Sequence, residues 1–195
     1  TTSIVSAVLI IAGGDISNKL PHLRAGFACP ALIPLNTRPL ASYVIEFYRG
    51  RHDVHLFVDE AFLQEVQLEL PPRRHGFTLH GVVRGQGVVD TLRQALQAVP
   101  ASEDLIVNLV TTIPVADPEL NEVQGGSLPA HSTSAWSAIS RSGDSLEFHA
   151  KGEVRPDHSL AFTGIFRLEA PVLSAAVESA PRRQDLLSVV EEAAS

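Results

Sequence analysis

Several residue types are scarce in this 195-residue chain, and each scarcity excludes a class of protein. The single cysteine, Cys29, allows no intramolecular disulfide and no cysteine-rich metal site. The apolar run at residues 4–12 is too short to span a bilayer and lacks the basic flank of a signal peptide. Fifteen basic residues face 22 acidic ones, and the net charge of −7 argues against nucleic acid or an anionic membrane as a partner. We therefore expect a cytoplasmic protein.

Metal and nucleophile motifs are equally scarce. The eight histidines include no pair spaced as HxxxH or HExxH, so the sequence predicts no zinc site. No serine lies in a GxSxG elbow, which argues against a serine hydrolase. Only Lys19 and Lys151 among the fifteen basic residues are lysines, and this shortage bears on any chemistry at phosphate groups.

The remaining composition is that of a folded globular domain. Hydrophobic residues make up 45% of the chain and charged residues 19%. A chain of this length buries about two-thirds of its unfolded surface, which is enough for a stable core. We expect one domain that covers residues 1–195.

Apolar patterns in the first 113 residues predict strands that alternate with helices. Residues 5–12 form a continuous β-rich apolar run that stops at a glycine pair, which is typical of a parallel strand buried on both faces. Further strands are predicted at residues 53–59, 77–83 and 104–110, and helices at residues 40–49, 60–70 and 87–99. This alternation predicts an α/β fold with an open, mostly parallel sheet.

The pattern changes after residue 113. A loop is predicted at residues 125–134, because Gly125 begins a stretch rich in glycine, serine and proline. Strands are predicted at residues 135–139, 145–150 and 160–168, and amphipathic helices at residues 171–180 and 185–194.

Five short motifs follow one another along the chain in a recognisable order. They are LIIAGG at 9–14, PALIPLNTRPL at 30–40, QGVVDTL at 86–92, DLIVNLVTT at 104–112 and FTGIF at 162–166. No single motif is specific, but together, over residues 4 to about 170, they resemble the sugar-1-phosphate nucleotidyltransferases.

The resemblance implies a fold and an activity. The fold would be a Rossmann-like, open, mixed and mostly parallel sheet with helices on both faces, of the nucleotide-diphospho-sugar transferase type. The activity would join a nucleoside triphosphate (NTP) and a sugar phosphate to give a nucleotide sugar and pyrophosphate, with Mg²⁺ as cofactor. Residues 1–113 would form the nucleotide-binding half and residues 114–195 the sugar-binding half. The sequence leaves open whether the chain forms a homo-oligomer.

The resemblance also implies roles for individual residues. It gives Lys19 a catalytic role on the phosphates. The implied nucleotide-binding residues are Ala12, Gly13, Gly14, Gln86 and Gly87. The implied sugar-phosphate-binding residues are Lys151, Thr163 and Gly164. Independently, a glycine pair after a buried strand lets backbone N–H groups approach phosphate oxygens. Each segment also has a purely structural interpretation. The glycine pair could be a tight turn and Gln86–Gly87 a helix N-terminus. Lys151 could be a solvated turn lysine, and Thr163–Gly164 a bulged strand.

The sequence departs from the family at two positions that carry charge. Pro30 and Ala31 stand where the family has a lysine after proline, and Thr111 stands where it has a metal-binding aspartate. Asp117, six residues further on, is the remaining candidate metal ligand if its loop folds back. The alternative function is therefore a non-catalytic module that binds a nucleotide or a sugar phosphate, because ground-state binding can survive the loss of such charges.

Overall fold

A computed structural model of the chain describes residues 6–14, 28–85, 87–99, 102–126, 137–143, 145–153, 157–181 and 185–193. The strands in these ranges are β1 (Ala7–Ala12), β2 (Pro34–Leu35), β3 (Arg38–Pro39), β4 (Asp53–Asp59), β5 (Thr78–Val82), β6 (Asp104–Leu109), β7 (Glu122–Gly126), β8 (Ala138–Ser142), β9 (Ser145–His149) and β10 (Leu160–Glu169). The helices are α1 (Leu40–Tyr48), α2 (Leu63–Glu69), α3 (Pro72–His75), α4 (Val88–Ala98), α5 (Ala170–Ser179) and α6 (Leu186–Ala193).

The main sheet has the strand order β5-β4-β1-β6-β10-β8-β9, and β7 also pairs with β10. The strands β5, β4, β1 and β6 are parallel to one another. β10 runs antiparallel to β6, β7 and β8, and β8 and β9 form an antiparallel hairpin. The prediction of an α/β fold with an open mixed sheet is confirmed.

Both faces of the sheet are covered, which explains why β1 is apolar at every position. Alternate residues of β1 enter two different cores, because successive side chains of a strand point to opposite faces. Leu9 lies in the core formed with α4, α5 and α6, whereas Ile10 lies in the core formed with α1 and α2. In the described part of the chain, no helix is both long enough and apolar enough to cross a membrane.

The structure corrects two local predictions and adds one helix. Residues 60–70 are not one helix, because the Asp59 carboxylate accepts a hydrogen bond from Ala61 N at 3.0 Å and caps a separate 3-10 turn, Glu60–Phe62. The single turn of α3 was not predicted. The predicted loop at 125–134 begins inside β7, because Gly125 is a strand residue that packs on Leu160; a Cβ there would lie 2.7 Å from the Leu160 Cβ.

Candidate functional site

The carboxyl ends of the four parallel strands meet at one edge of the sheet, which we call the carboxyl edge. The residues that follow β1, β5 and β6 leave the sheet there, and Asp59 closes β4 at the same edge. In open α/β sheets, ligands bind in the crevice outside the carboxyl ends of the strands. The carboxyl edge is therefore where a ligand site is expected in this fold.

A cavity of about 280 Å³ opens at the carboxyl edge, between the loops that follow β1 and β5 and the start of α4. We call it the edge cavity; its lining residues are Gly13, Gly14, Asp59, Val82, Val83, Arg84, Gly85, Gly87, Val88 and Thr91. Three residues predicted from sequence to bind nucleotide, Gly13, Gly14 and Gly87, are thus brought together. Ala12 is buried at the end of β1, so it faces the core rather than the cavity.

The two glycines after β1 have different structural roles. A Cβ on Gly13 would lie 2.5 Å from the Thr91 hydroxyl oxygen, so the missing side chain lets this loop pack closely on α4. Gly14 has a φ of +99°, and among the described residues no atom lies within 4 Å of where its Cβ would stand. Gly13 therefore sets the distance between the loop and α4, and Gly14 turns the chain at a point that no other described residue contacts.

The helix α4 points its N-terminus at the edge cavity. Gly87 precedes its first residue and has a φ of +154°, a conformation that favours glycine. The unpaired N–H groups and the dipole of a helix N-terminus favour anions. The carboxylate of Asp90 in the first turn is paired with Arg93 at 2.5 Å. This wall of the cavity can therefore receive a negatively charged group.

An arginine and an aspartate that the sequence did not predict also line the edge cavity. The Asp59 side chain is only 3% exposed, and its Oδ2 accepts a hydrogen bond from Nε of Arg84 at 2.6 Å. Its Oδ1 is occupied by the N–H of Ala61. The Arg84 side chain is 53% exposed and brings a positive charge to the cavity. The pair was missed because its members are 25 residues apart and meet only through the pairing of β4 with β5.

The predicted sugar-phosphate residues Thr163 and Gly164 lie at a bulge in β10, where its register with β7 shifts between Phe162 and Phe166; we call this segment the bend. The rings of Phe162 and Phe166 stack at 6.4 Å. Gly164 has a φ of +76°, and a Cβ there would lie 2.5 Å from the Leu109 Cδ1. The Thr163 hydroxyl donates to the carbonyl oxygen of Gln124 at 2.7 Å. Both residues build the bend, which reaches the carboxyl edge beside the end of β6 but does not line the edge cavity.

A buried hydrogen-bond network fixes the turn that follows β6. The Tyr48 hydroxyl donates to Oδ1 of Asn108 at 2.9 Å, and Nδ2 of Asn108 donates to the carbonyl oxygens of Leu109 at 2.7 Å and Thr112 at 2.9 Å. The Thr112 hydroxyl in turn donates to the carbonyl oxygen of Thr163 at 2.7 Å. Burial raises the pKa of Tyr48, with a smaller contribution from a nearby carboxylate, so its hydroxyl stays a proton donor.

The candidate metal ligand Asp117 lies at the other edge of the sheet. It forms an ion pair with Arg51, and its Oδ1 lies 3.3 Å from Nε2 of His52; both residues precede β4. The chain reaches that edge because residues 110–121 run back to the start of β7, which is antiparallel to β10. The structure therefore does not bring Asp117 to the edge cavity. Thr111 is exposed at the end of β6, and no cluster of three or more metal-ligating side chains occurs among the described residues.

Lys151 lies in an exposed turn after β9. Its turn is closed by hydrogen bonds in both directions between Ala150 and Glu153. The register from β9 through β8 to β10 places the end of β9 opposite Ala138 and then Ala161, so Lys151 is two strands away from the bend in β10. Lys151 does not line the edge cavity. Lys19 and Gln86 lie outside the described residues.

Comparisons with solved structures support the fold. A candidate glucose-1-phosphate thymidylyltransferase from Bacillus anthracis, in complex with a sucrose, has a TM-score of 0.74 at 17% identity; the match covers 95% of this chain and 80% of that one. The inositol-1-phosphate CTP transferase from T. maritima has a TM-score of 0.73 at 13% identity, covering 98% and 82%. A UDP-glucose pyrophosphorylase from Acinetobacter baumanii has a TM-score of 0.68 at 14% identity, covering 98% and 82%. No protein-family model and no curated protein sequence matches the chain.

Proposed function

We propose that this protein is a nucleotidyltransferase that binds an NTP at the edge cavity and transfers its nucleotidyl group to a sugar phosphate. The observation that carries the proposal is the convergence of Gly13, Gly14 and Gly87 on one cavity at the carboxyl edge. The similar structures support the kind of reaction, because they are named for glucose-1-phosphate thymidylyl transfer, inositol-1-phosphate CTP transfer and UDP-glucose pyrophosphorolysis.

In the proposed reaction, a phosphate oxygen of the sugar phosphate attacks the α-phosphorus of the NTP. A new phosphorus–oxygen bond forms as the bond to the β-phosphate oxygen breaks, and pyrophosphate leaves. Gly14 and the N-terminus of α4 would place N–H donors on the phosphates, and Arg84 would add a positive charge. The resemblance adds Lys19 on the phosphates and Gln86 on the base.

The proposal divides the chain between its two substrates. It assigns the NTP to residues 1–113 and the sugar phosphate to residues 114–195, where Thr163, Gly164 and Lys151 are the candidate contacts. It places the protein in the cytoplasm, where nucleoside triphosphates and sugar phosphates occur together.

In the proposed function, the divalent metal would be bound mainly by the phosphates of the nucleotide and not by a cluster of protein carboxylates. Mg²⁺ commonly binds with one or two carboxylates plus substrate phosphates and keeps several waters. The described residues supply no carboxylate cluster at the carboxyl edge, since Asp59 is paired with Arg84 and Asp117 lies elsewhere. Mg²⁺ bound to the triphosphate would neutralise part of its charge.

The decisive experiment measures pyrophosphate release with Mg²⁺, each common NTP and a panel of hexose 1-phosphates. Release above background supports the proposal. Nucleotide binding without release favours the alternative of a non-catalytic binding module. The absence of any nucleotide binding by calorimetry would overturn the proposed function, and the alternative would be overturned as well only if the protein also bound none of the hexose 1-phosphates.

A matched pair of variants tests where the nucleotide binds. Gly14 and Gly50 both have a positive φ, and neither has a described atom within 4 Å of its Cβ position. Gly14→Val and Gly50→Val therefore impose comparable backbone strain, but only the first fills the mouth of the edge cavity. We expect Gly14→Val to abolish nucleotide binding and Gly50→Val to retain it. Equal binding by the two variants would place the nucleotide elsewhere.

A further inference from the structure

The side-chain amide of Gln94 is paired with the backbone of Val83. Its Oε1 accepts a hydrogen bond from Val83 N at 2.9 Å, and its Nε2 donates to the carbonyl oxygen of Val83 at 2.9 Å. Val83 directly follows β5, so the amide satisfies both backbone groups of the residue at which the chain leaves the sheet. One side chain of α4 therefore holds the residue at which the chain leaves the sheet.

The same helix also contacts the loop after β1, which lines the edge cavity. Gly13 packs on Thr91, one turn before Gln94 on α4. The helix itself is anchored by its buried face, in which Val89 and Leu92 belong to the core. The loop after β1 and the loop after β5 are thus both positioned by α4.

Arg84 is the charged residue whose position this arrangement determines. The Asp59 carboxylate holds its Nε at 2.6 Å, and the Gln94 amide holds the backbone of the residue just before it. An arginine fixed at both its backbone and its guanidinium loses little conformational freedom when it binds an anion.

We propose that Gln94 is a positioning residue of the edge cavity, which holds the backbone of Val83 so that Arg84 is presented to the anionic part of the nucleotide. This inference rests on the proposed function for the identity of the ligand. Gln94 acts through Arg84, so removing Gln94 costs nucleotide affinity only while the arginine is present.

The test is a double-mutant cycle on nucleotide affinity, measured by calorimetry with the NTP that the wild-type protein binds most tightly. We expect Gln94→Ala to weaken binding about five- to ten-fold, as expected for losing a pair of hydrogen bonds. Gln97→Ala is the matched control, because Gln97 is an exposed glutamine on the same helix. The double variant Gln94→Ala/Arg84→Gln should bind no more weakly than Arg84→Gln alone.

Gln94→Glu provides a second variant of almost unchanged size. Its carboxylate can still accept from Val83 N, but its other oxygen repels the Val83 carbonyl oxygen until the carboxyl group is protonated. We expect affinity to be reduced at pH 7.5 and to recover as the pH falls toward the carboxyl pKa, whereas Gln97→Glu should show no such recovery.

Hydrogen exchange at the Val83 amide, measured without ligand, tests whether Gln94 holds the Val83 backbone. This test does not depend on whether the protein binds a nucleotide. Gln94→Ala should accelerate this exchange and Gln97→Ala should not. Unchanged exchange in Gln94→Ala, or fold-changes of Gln94→Ala and Arg84→Gln that simply multiply, would overturn the inference. A wild-type protein that binds no NTP would overturn the proposed function, and also the role of Gln94 in nucleotide binding.

Discussion

The hydroxyl of Tyr48, near the end of α1, donates a hydrogen bond to the side-chain oxygen of Asn108 at 2.9 Å, although the two residues are 60 positions apart. Both are fully buried. The bond leaves the Asn108 amide nitrogen to hold the turn after β6 through Leu109 and Thr112. A residue in a helix on one face of the sheet therefore helps to shape the carboxyl edge.

Replacing Tyr48 with phenylalanine should leave a buried acceptor on Asn108 without its donor. We expect Tyr48→Phe to lower the free energy of unfolding by about 1–3 kcal/mol, measured by urea denaturation. Tyr43→Phe is the control, because its hydroxyl bonds to the carbonyl oxygen of Leu35 in an exposed position. The control should change stability by less than about 0.5 kcal/mol. Equal effects of the two substitutions would contradict the role of the network.

Replacing Gly164 with alanine should disturb the bend in β10 through two separate costs. The φ of +76° is unfavourable for alanine, and the new Cβ would lie 2.5 Å from Leu109. Gly152→Ala, at a φ of +83° with no described atom within 4 Å, carries only the first cost. We expect Gly152→Ala to lose about 1 kcal/mol and Gly164→Ala about 1–3 kcal/mol more, by urea denaturation.

A compensating substitution separates crowding from strain at this bend. Leu109→Ala in the Gly164→Ala background should remove the contact that the new methyl group makes. The loss caused by Gly164→Ala should therefore be smaller in the Leu109→Ala background than in the wild type. Identical losses in both backgrounds would mean that strain alone limits this position.

Much of the fold follows from local patterns. β4 was predicted at its observed bounds because it is a short β-rich apolar run that is buried on both faces, and α1 was predicted within one residue because its apolar residues recur at helical spacing after Pro39. β7 was missed because Gly125 and Gly126 are typical of a loop, whereas here the first glycine makes room for Leu160. Close packing between distant segments leaves no local signal.

Part of the candidate site could be predicted from the sequence, and part depends on how the strands are arranged. A glycine pair after a buried strand pointed to Gly13 and Gly14, and the resemblance of the motif at 86–92 pointed to Gly87; all three line the edge cavity. Arg84 and Asp59 depend on which strands are neighbours, and that order is a property of the whole sheet. Asp117 is close to Thr111 in sequence, but the intervening chain crosses to the opposite edge.

Cys29 should be unreactive in the folded protein. Its side chain is fully buried, and burial raises the pKa of the thiol to about 11, so the reactive thiolate is scarce near neutral pH. We expect iodoacetamide at pH 8 to modify Cys29 in denaturant and not in buffer, as measured by intact mass. Equally fast modification under both conditions would show that the segment at Cys29 opens readily.

A chain of side-chain contacts links Asp53, His55 and His80 on β4 and β5. Nε2 of His55 lies 3.1 Å from Asp53 Oδ2, and its Nδ1 lies 3.0 Å from Nε2 of His80, whose ring stacks on Phe57. Burial lowers the pKa of His80 below its ordinary value of 6.5, His55 lowers it further, and Asp53 acts in the opposite direction. Folding therefore favours the neutral form of His80.

Because the folded pKa of His80 is lowered, the unfolded chain binds more protons than the folded one between that pKa and 6.5. The stability due to neutral His80 is present above pH 6.5 and is lost as the pH falls through this window. We expect His80→Gln, which keeps a hydrogen-bonding group without a titrating one, to flatten the dependence of the urea midpoint on pH below 6.5. His158→Gln, in an exposed turn, is the control. An unchanged slope in His80→Gln would mean that other groups set the acid sensitivity.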